Sequence, residues 1–197
     1  MSSKTNKSYS VHQPNLLPWI GFFYKWAMSD HFVYMDNTKL SKGSFTERVY
    51  IMKNGKNKPI TIKYIKGSSQ RNINEVIIRD NWHQIMLSQL YDAYCCEPYF
   101  YEAIDIIMNA IPKGEVTIAE FNMAICNAIA ETLELTPGVC GSKLGVNSNR
   151  VEYLIETGIK LESNQYISGM GAAEYNNEEQ MASRGISLTY LSLESLR

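Results

Sequence analysis

Apolar positions along the chain follow a strand period at both ends and a helix period in the middle. Tyr9–Gln13 reads as a short strand stopped by Pro14. Leu17–Met28 reads as a helix with Pro18 in its first turn, where a missing N–H costs nothing. Trp19, Phe22, Phe23 and Trp26 recur at helical spacing, which predicts that most of them are core, and Lys25 lies unusually among them. His31–Asp36 reads as a second strand, with Phe32 and Tyr34 on one face and Val33 and Met35 on the other, the pattern of a strand covered on both sides. A polar loop, Asn37–Gly43, leads to two further strands, Phe45–Lys53 and Lys58–Lys66. Asn54-Gly55 marks a hairpin between them whose loop could exceed two residues. Gly67-Ser68-Ser69 reads as a loop and Ile73–Arg79 as another strand.

The middle of the chain turns helical over Trp82–Tyr94, Tyr99–Ala110 and Thr117–Leu133, with Pro98 and Pro112 as punctuation and Asp80 or Asn81 placed to cap the first. Alternation then returns. Val139–Ser142 is a strand, Asn149–Thr157 a helix closed by Gly158, Gln165–Ser168 a strand, Gly169–Gly171 a loop, Glu174–Arg184 a helix ended by Gly185, and Ile186–Leu191 a last strand. This order predicts an α/β fold with a mostly parallel sheet, Rossmann-like or nucleotidylyltransferase-like, carrying an inserted β-hairpin and a helical block. Residues 1–8 are expected to form a flexible start and 9–197 a single domain, in which the hairpin and helices of 54–135 could cap one edge.

Composition excludes several classes. At 45% hydrophobic and 20% charged, the chain is an ordinary globular sequence. No apolar run approaches the roughly 20 residues of a membrane helix, and the N-terminus lacks the core of a signal peptide, so the expected compartment is the cytoplasm, with no membrane partner. Cys95, Cys96, Cys126 and Cys140 form no CxxC pair. They are expected to be reduced and mostly core, and neither a metal nor a cofactor is expected. Charge is strongly uneven. Residues 1–71 hold twelve basic and three acidic side chains, whereas the remainder holds seven basic and seventeen acidic ones. Such asymmetry suits a small anionic substrate bearing phosphate or carboxylate and leaves DNA open as a partner.

The densest polar signal is His12-Gln13-Pro14-Asn15, directly after the first strand. Ligands of open α/β sheets sit beyond the carboxyl ends of the strands, and a helix start nearby favours anions. Asp36 ends the second strand and could fix the tautomer of His12. Lys42, Ser44 and Arg48 follow, a group suited to phosphate or carboxylate. Ser168-Gly169-Met170-Gly171, a strand-to-helix turn, is a second place where backbone N–H groups could meet an anion, although it lacks the spacing and the Lys of a P-loop. Tyr91, Tyr94, Tyr99, Phe100 and Tyr101 cluster around the Cys pair and are read mainly as core or helix-interface residues.

Several of these residues carry a resemblance. His12-Gln13-Pro14-Asn15, Leu17-Pro18-Trp19, Gly21-Phe22-Phe23, Lys25, Ser29-Asp30, Phe32-Val33, Asp36, Lys42, Phe45 and Arg48 resemble the opening of the WbqC-like proteins. Trp82, Pro98 with Phe100, Ser142 with Leu144, Arg150, Tyr166-Ile167-Ser168-Gly169, Gly171, Tyr175 and Gly185-Ile186 extend the likeness over most of the chain. Leu16, the segment Asn37-Thr38-Lys39-Leu40 and Val49 depart from the usual pattern, as does the end at Arg197, and these departures bear on substrate choice. The resemblance implies a place in bacterial surface-polysaccharide (O-antigen) clusters and transfer of an amino acid, glycine in particular, onto a sugar. Similar proteins are associated with bacteriophage pathways that attach amino acids to modified thymine in DNA.

The expected activity is therefore transfer of a small aminoacyl group. His12 would serve as base, Asp36 would orient it, and Lys42 and Arg48 would neutralise developing charge. Gln13, Asn15, Trp19, Lys25, Ser44, Ser142, Ser168, Gly169 and Tyr175 are the expected substrate-binding residues. An alternative expectation is attack by an amino acid on a phosphorylated acceptor in DNA, with phosphate departing. A further one is a binding module or scaffold without catalysis.

Overall fold

The computed structural model describes residues 6–65, 71–173 and 176–192. In chain order its elements are β1 (Ser8–His12), α1 (Ile20–Ala27), β2 (His31–Tyr34), β3 (Arg48–Lys53), β4 (Lys56–Thr61), α2 (Trp82–Tyr94), α3 (Phe100–Ala110), α4 (Ile118–Thr132), β5 (Val139–Cys140), α5 (Arg150–Lys160), β6 (Gln165–Gly169), α6 (Glu178–Ser183) and β7 (Ser187–Leu191), with a 3-10 turn at Met170–Ala172. This is the α/β class expected, with a parallel sheet and a separate hairpin. The chain divides into two compact units, Met1–His12 with Trp19–Met35 and Leu135–Arg197, and Gln13–Pro18 with Asp36–Glu134.

The first unit holds a five-stranded sheet of order β5-β2-β1-β6-β7, every neighbouring pair parallel. The chain works outward from β1 through β2 to β5, then returns to the other side of β1 for β6 and β7. The order reverses between β1 and β6, the switch point of a doubly wound sheet. Tyr9 and Val11 of β1 face a core made with Val33, Tyr166, Tyr153 and Ile155 of α5, and Met181 of α6. The opposite face receives α1. The Trp26 ring stacks on Phe32 at 4.2 Å, and its indole N–H donates to the Thr136 carbonyl at 2.8 Å. The serines of β1 point to this α1 face and are matched there. Ser10 Oγ lies 2.9 Å from Ser29 Oγ, and the Ser8 N–H donates to Asp30 Oδ2 at 2.7 Å, holding that carboxyl below its usual range.

Several boundaries in this unit differ from expectation: β2 ends at Tyr34 rather than Asp36, β5 at Cys140 rather than Ser142, and three helix limits shift. The first helix starts at Ile20, because Leu17 has φ 45° and breaks the helical path before Pro18. Trp19 is then the residue before the helix, and its ring lies over Gly21, where a Cβ would come within 2.3 Å of the indole. It is 54% exposed rather than core, unlike Phe22, Phe23 and Trp26. Gly158 does not close its helix. α5 runs through it to Lys160, and the glycine is there because the Tyr9 ring lies against it, 2.7 Å from where a Cβ would stand. The last helix starts at Glu178, where the Asn177 side chain accepts from Gln180 N at 3.0 Å, rather than at Glu174. Residues 174 and 175, the Gly67-Ser68-Ser69 loop and residues 1–5 of the expected flexible start 1–8 lie outside the described residues, while Ser8 already belongs to β1.

In the second unit β3 and β4 form an antiparallel hairpin. Its loop is the two residues Asn54 and Gly55, at φ 51° and 69°, a turn whose twist suits the strands, and no longer connection is needed. β3 starts three residues later than expected because 44–48 form a tight turn in which the Ser44 carbonyl accepts from Glu47 N at 3.0 Å and Arg48 N at 2.9 Å. Ile73–Arg79 is not a strand. It makes only isolated bridges, to Tyr64 and Thr117, while Ile73, Val76 and Ile78 sink into a core with Trp82, Met86, Ile104, Phe121 and Ile125. Asn81 precedes α2 with φ 59° and no side-chain cap, whereas Thr117 and Glu120 form a reciprocal capping box on α4. Of the expected aromatic cluster only Phe100 is buried. Tyr91, Tyr99 and Tyr101 are exposed. All four thiols are free, but Cys126 alone is buried. Among the described residues no helix is long and apolar enough to cross a membrane.

Gly158→Ala is expected to lower stability by about 1–3 kcal/mol through the clash with Tyr9, outweighing alanine's helical advantage of ~1 kcal/mol. Urea unfolding of the variant checks this, and an unchanged midpoint would contradict the packing described.

Candidate functional site

In the first unit, α1 brings Phe22 and Lys25 to the last residues of β1, Val11 and His12, and Trp19 directly precedes that helix. The His12 ring meets Phe22 edge-on, with centroids 4.9 Å apart. Lys25 follows Phe22 by three residues, on the same helix face. Helical side chains lean towards the helix N-terminus, so the Lys25 stem runs up α1 towards the carboxyl edge of the sheet. Its Nζ donates to the Val11 carbonyl at 2.9 Å in a site only 8% exposed. Burial alone lowers the Lys25 pKa to about 7.

The strand arrangement explains why that carbonyl needs a side chain. Along a parallel strand successive residues aim their amide groups at opposite neighbours. The His12 carbonyl accepts from Met35 N at 2.8 Å, on the β2 side, so the Val11 carbonyl aims at β6. The ladder between β1 and β6, however, is confined to Ser8↔Gln165 and Tyr9↔Tyr166. Beyond Tyr9 the two strands part at the switch point, and the Lys25 amine takes the place of a rung.

Ser168 and Gly169 end β6, across from the last residues of β1 in the same sheet. Ser168 is buried, and its hydroxyl accepts from Asn176 Nδ2 at 3.1 Å, while the same amide reaches Tyr190 Oη at 3.4 Å. Burial pushes the Tyr166 phenol up to about 12, against a hydrogen bond with Ser168 that lowers it. No Cβ conflict exists at Gly169, which leaves its backbone approachable. Ser142 follows β5, the outermost strand, two strands removed from β1. Tyr175 lies outside the described residues.

Gln13, Asn15, Asp36, Lys42, Ser44 and Arg48 belong to the second unit. Gln13 is locked by two threonines, donating to Thr38 Oγ1 at 2.9 Å and accepting from Thr46 Oγ1 at 3.0 Å. The Asn15 carbonyl accepts from Cys126 Sγ at 3.5 Å, and Asp36 is buried. Lys42 is exposed. Arg48 Nε donates to Thr61 Oγ1 at 2.9 Å, and its Nη1 lies 3.9 Å from the position of a Cβ on Gly43. No acid pairs with that guanidinium among the described residues, so its terminal N–H groups remain for another acceptor. The Ser44 hydroxyl is sequestered without a partner in the same turn.

Sequence reasoning missed the residues that hold this turn. Glu47, 4% exposed, accepts from the Gly43 N–H, and the Tyr64 phenol is raised by burial and, after it, by the Glu47 carboxylate. It is the single acid between Asp36 and Glu75, a signal that was readable. Asn122, on the apolar stripe of α4, donates from Nδ2 to both the Pro14 and Thr46 carbonyls at 2.9 Å. Its place among Ile118, Phe121 and Ile125 was the cue. Two concavities of this unit, one under the hairpin lined by Lys53, Lys56, Lys58 and Asp92 and one lined by His83, Leu87 and Met108, contain no expected site residue.

The family model for the WbqC-like protein family matches residues 13–196. The uncharacterized protein Rv1507c of Mycobacterium tuberculosis is 23% identical over 195 residues, spanning 97% of this chain and 84% of that protein. No solved structure matches the chain.

Asn122→Ala orphans two buried carbonyls and is expected to cost about 2–4 kcal/mol in denaturant unfolding, at about 1–3 kcal/mol for each group. A loss below the error of that measurement would remove the clamp. Lys25 also sets a pH signature. Between about 7 and its ordinary 10.5 the unfolded chain holds a proton that the folded chain has lost, so stability contributed at this residue rises with pH across that window. Wild type is expected to gain on Lys25→Met from pH 7 to pH 10, and a flat difference would show that the amine titrates normally.

Proposed function

The chain belongs to the WbqC-like protein family, and from that premise we propose that it is a transferase that attaches an aminoacyl group to a sugar or other small acceptor at the carboxyl edge of its parallel sheet. The observation that supports this most is the parting of β1 and β6 after Tyr9↔Tyr166, with His12 at the tip of β1 and Ser168-Gly169 at the tip of β6. Such a crevice is where doubly wound sheets bind their ligands. The exposed Trp19 ring at the start of α1 offers an apolar surface to a sugar or side chain.

In this reading an amine or hydroxyl of the acceptor attacks the acyl carbon of an activated amino-acid ester. The new C–N or C–O bond forms as the acyl–oxygen bond breaks. The His12 imidazole takes the proton of the attacking group and returns it to the departing oxygen, so no net proton is gained by the protein. Ser168 and the Gly169 backbone position the substrate.

A second reading rests on the second unit, where Lys42 and the unshared N–H groups of Arg48 suit a phosphate. There the amine of an amino acid attacks a carbon bearing phosphate, the C–O bond breaks, and phosphate leaves with the electron pair. An acceptor in DNA would then bind more weakly as salt rises.

Purified protein incubated with activated aminoacyl esters and sugar acceptors is expected to give an acceptor heavier by one aminoacyl group, read by mass spectrometry. His12→Ala is expected to lose about 10²-fold or more in turnover at unchanged melting temperature. Full turnover by a folded His12→Ala protein would end the assignment of its role.

A further inference from the structure

We infer that Lys25 is the receptor for one oxyanion, a carboxylate or a phosphate, of a small substrate entering the opening between β1 and β6, and that it takes up a proton when that anion binds. The inference rests on the placement of the substrate at this sheet edge and names the group that the site recognises.

Lys25 stands out by its unused bonding. An ammonium has three donors, and the one hydrogen bond that Lys25 makes among the described residues goes to Val11. Two donors are left in a nearly dry position, where an unmatched polar group is costly. Among the described residues no acid pairs with it. The ion pairs of the described residues are Lys53 with Asp92 and Arg184 with Glu152, both elsewhere. Asp30, the acid nearest in sequence, is held by Ser8 at the opposite, amino end of β1. A buried base with spare donors and no counter-charge among the described residues is suited to receive an anion.

The amine is positioned for that role by its surroundings. It reaches the carbonyl one residue before His12, at the place where β6 has left the ladder. The titratable groups on the elements packed around it are Tyr24 on α1, Tyr9 and His12 on β1, His31 and Tyr34 on β2, and Tyr166 on β6. None carries negative charge at neutral pH, and burial is the single cause of the Lys25 shift. An arriving oxyanion would be the first opposite charge in the site. It would favour the ammonium form, so protein at pH 8 must draw a proton from solvent to bind it.

The test uses the full chain labelled with ¹³C at lysine Cε, titrated with acetate and, separately, with inorganic phosphate. Without either probe the Lys25 resonance is expected to titrate near pH 7. With a saturating probe its midpoint should rise by about two pH units or more, and affinity should fall about tenfold per pH unit between the free and the bound midpoints. Calorimetry at pH 8 in buffers of different protonation heat should show uptake of about one proton per acetate bound. Whichever probe moves the resonance identifies the oxyanion. Lys25→Met should abolish binding while keeping the unfolding transition, and the resonance shift in wild type decides the matter if that variant does not fold. Probes that perturb His12 and Trp19 but leave Lys25 unmoved would overturn the inference and spare the sheet-edge site. Probes that perturb none of the three would overturn both.

Discussion

A central strand of a parallel sheet has amide groups to satisfy on both sides, and β1 keeps that balance only as far as Tyr9 on its β6 side. From there to His12 the Val11 carbonyl would be buried and unmatched if the Lys25 amine did not reach it. That one hydrogen bond satisfies the Val11 carbonyl where the sheet splits at its switch point. It also explains why a lysine interrupts a helix face otherwise made of Phe22, Phe23 and Trp26. Those rings close the α1 face over Phe32 and Tyr34, which dries the surroundings of the amine and shifts its protonation. The same aromatic packing that stabilises the unit therefore sets the chemistry of its edge.

The second unit solves a related problem differently. The short segment Gln13–Pro18 has no strand or helix to pair its backbone, so side chains from distant parts of the unit do so. Asn122 holds the Pro14 and Thr46 carbonyls with one amide, Cys126 reaches Asn15, and two threonines fix the Gln13 side chain. Glu47 performs the same service for the Gly43 turn. Buried polar contacts of this kind add little net energy each, but they are costly to break, so they select one conformation of the Ser44–Arg48 turn.

Most elements were legible because their periodicity is strong. α2 and the strands of the parallel sheet lie close to the expected ranges, and the Asn54-Gly55 dipeptide marked the hairpin. The failures have physical reasons. Pro18 permits a helix start but does not require one, and the left-handed Leu17 decided the matter. Gly158 looked like a terminator because a glycine's close contact with a ring 149 residues away leaves no local trace. Ile73–Arg79 has the apolar content of a strand, yet no neighbouring strand offers it a full ladder. Among the site residues, His12 and Lys25 could be singled out from the sequence, but that Lys25 bonds β1 depends on the geometry of two strands parting, which no spacing rule encodes.

The charge asymmetry of the chain gains a more specific meaning once burial is known. Of the ten described bases in the first 71 residues, nine are exposed or half-buried, and exposed ion pairs such as that of Lys53 with Asp92 contribute little. Their number therefore attracts anions to the surface without choosing among them. Lys25 differs in kind, because its charge is costly in the absence of an anion and favourable in its presence. Composition counts it as one basic residue of twelve. Burial brings its protonation towards neutral pH, and on our inference that lets it distinguish a bound oxyanion from a passing one.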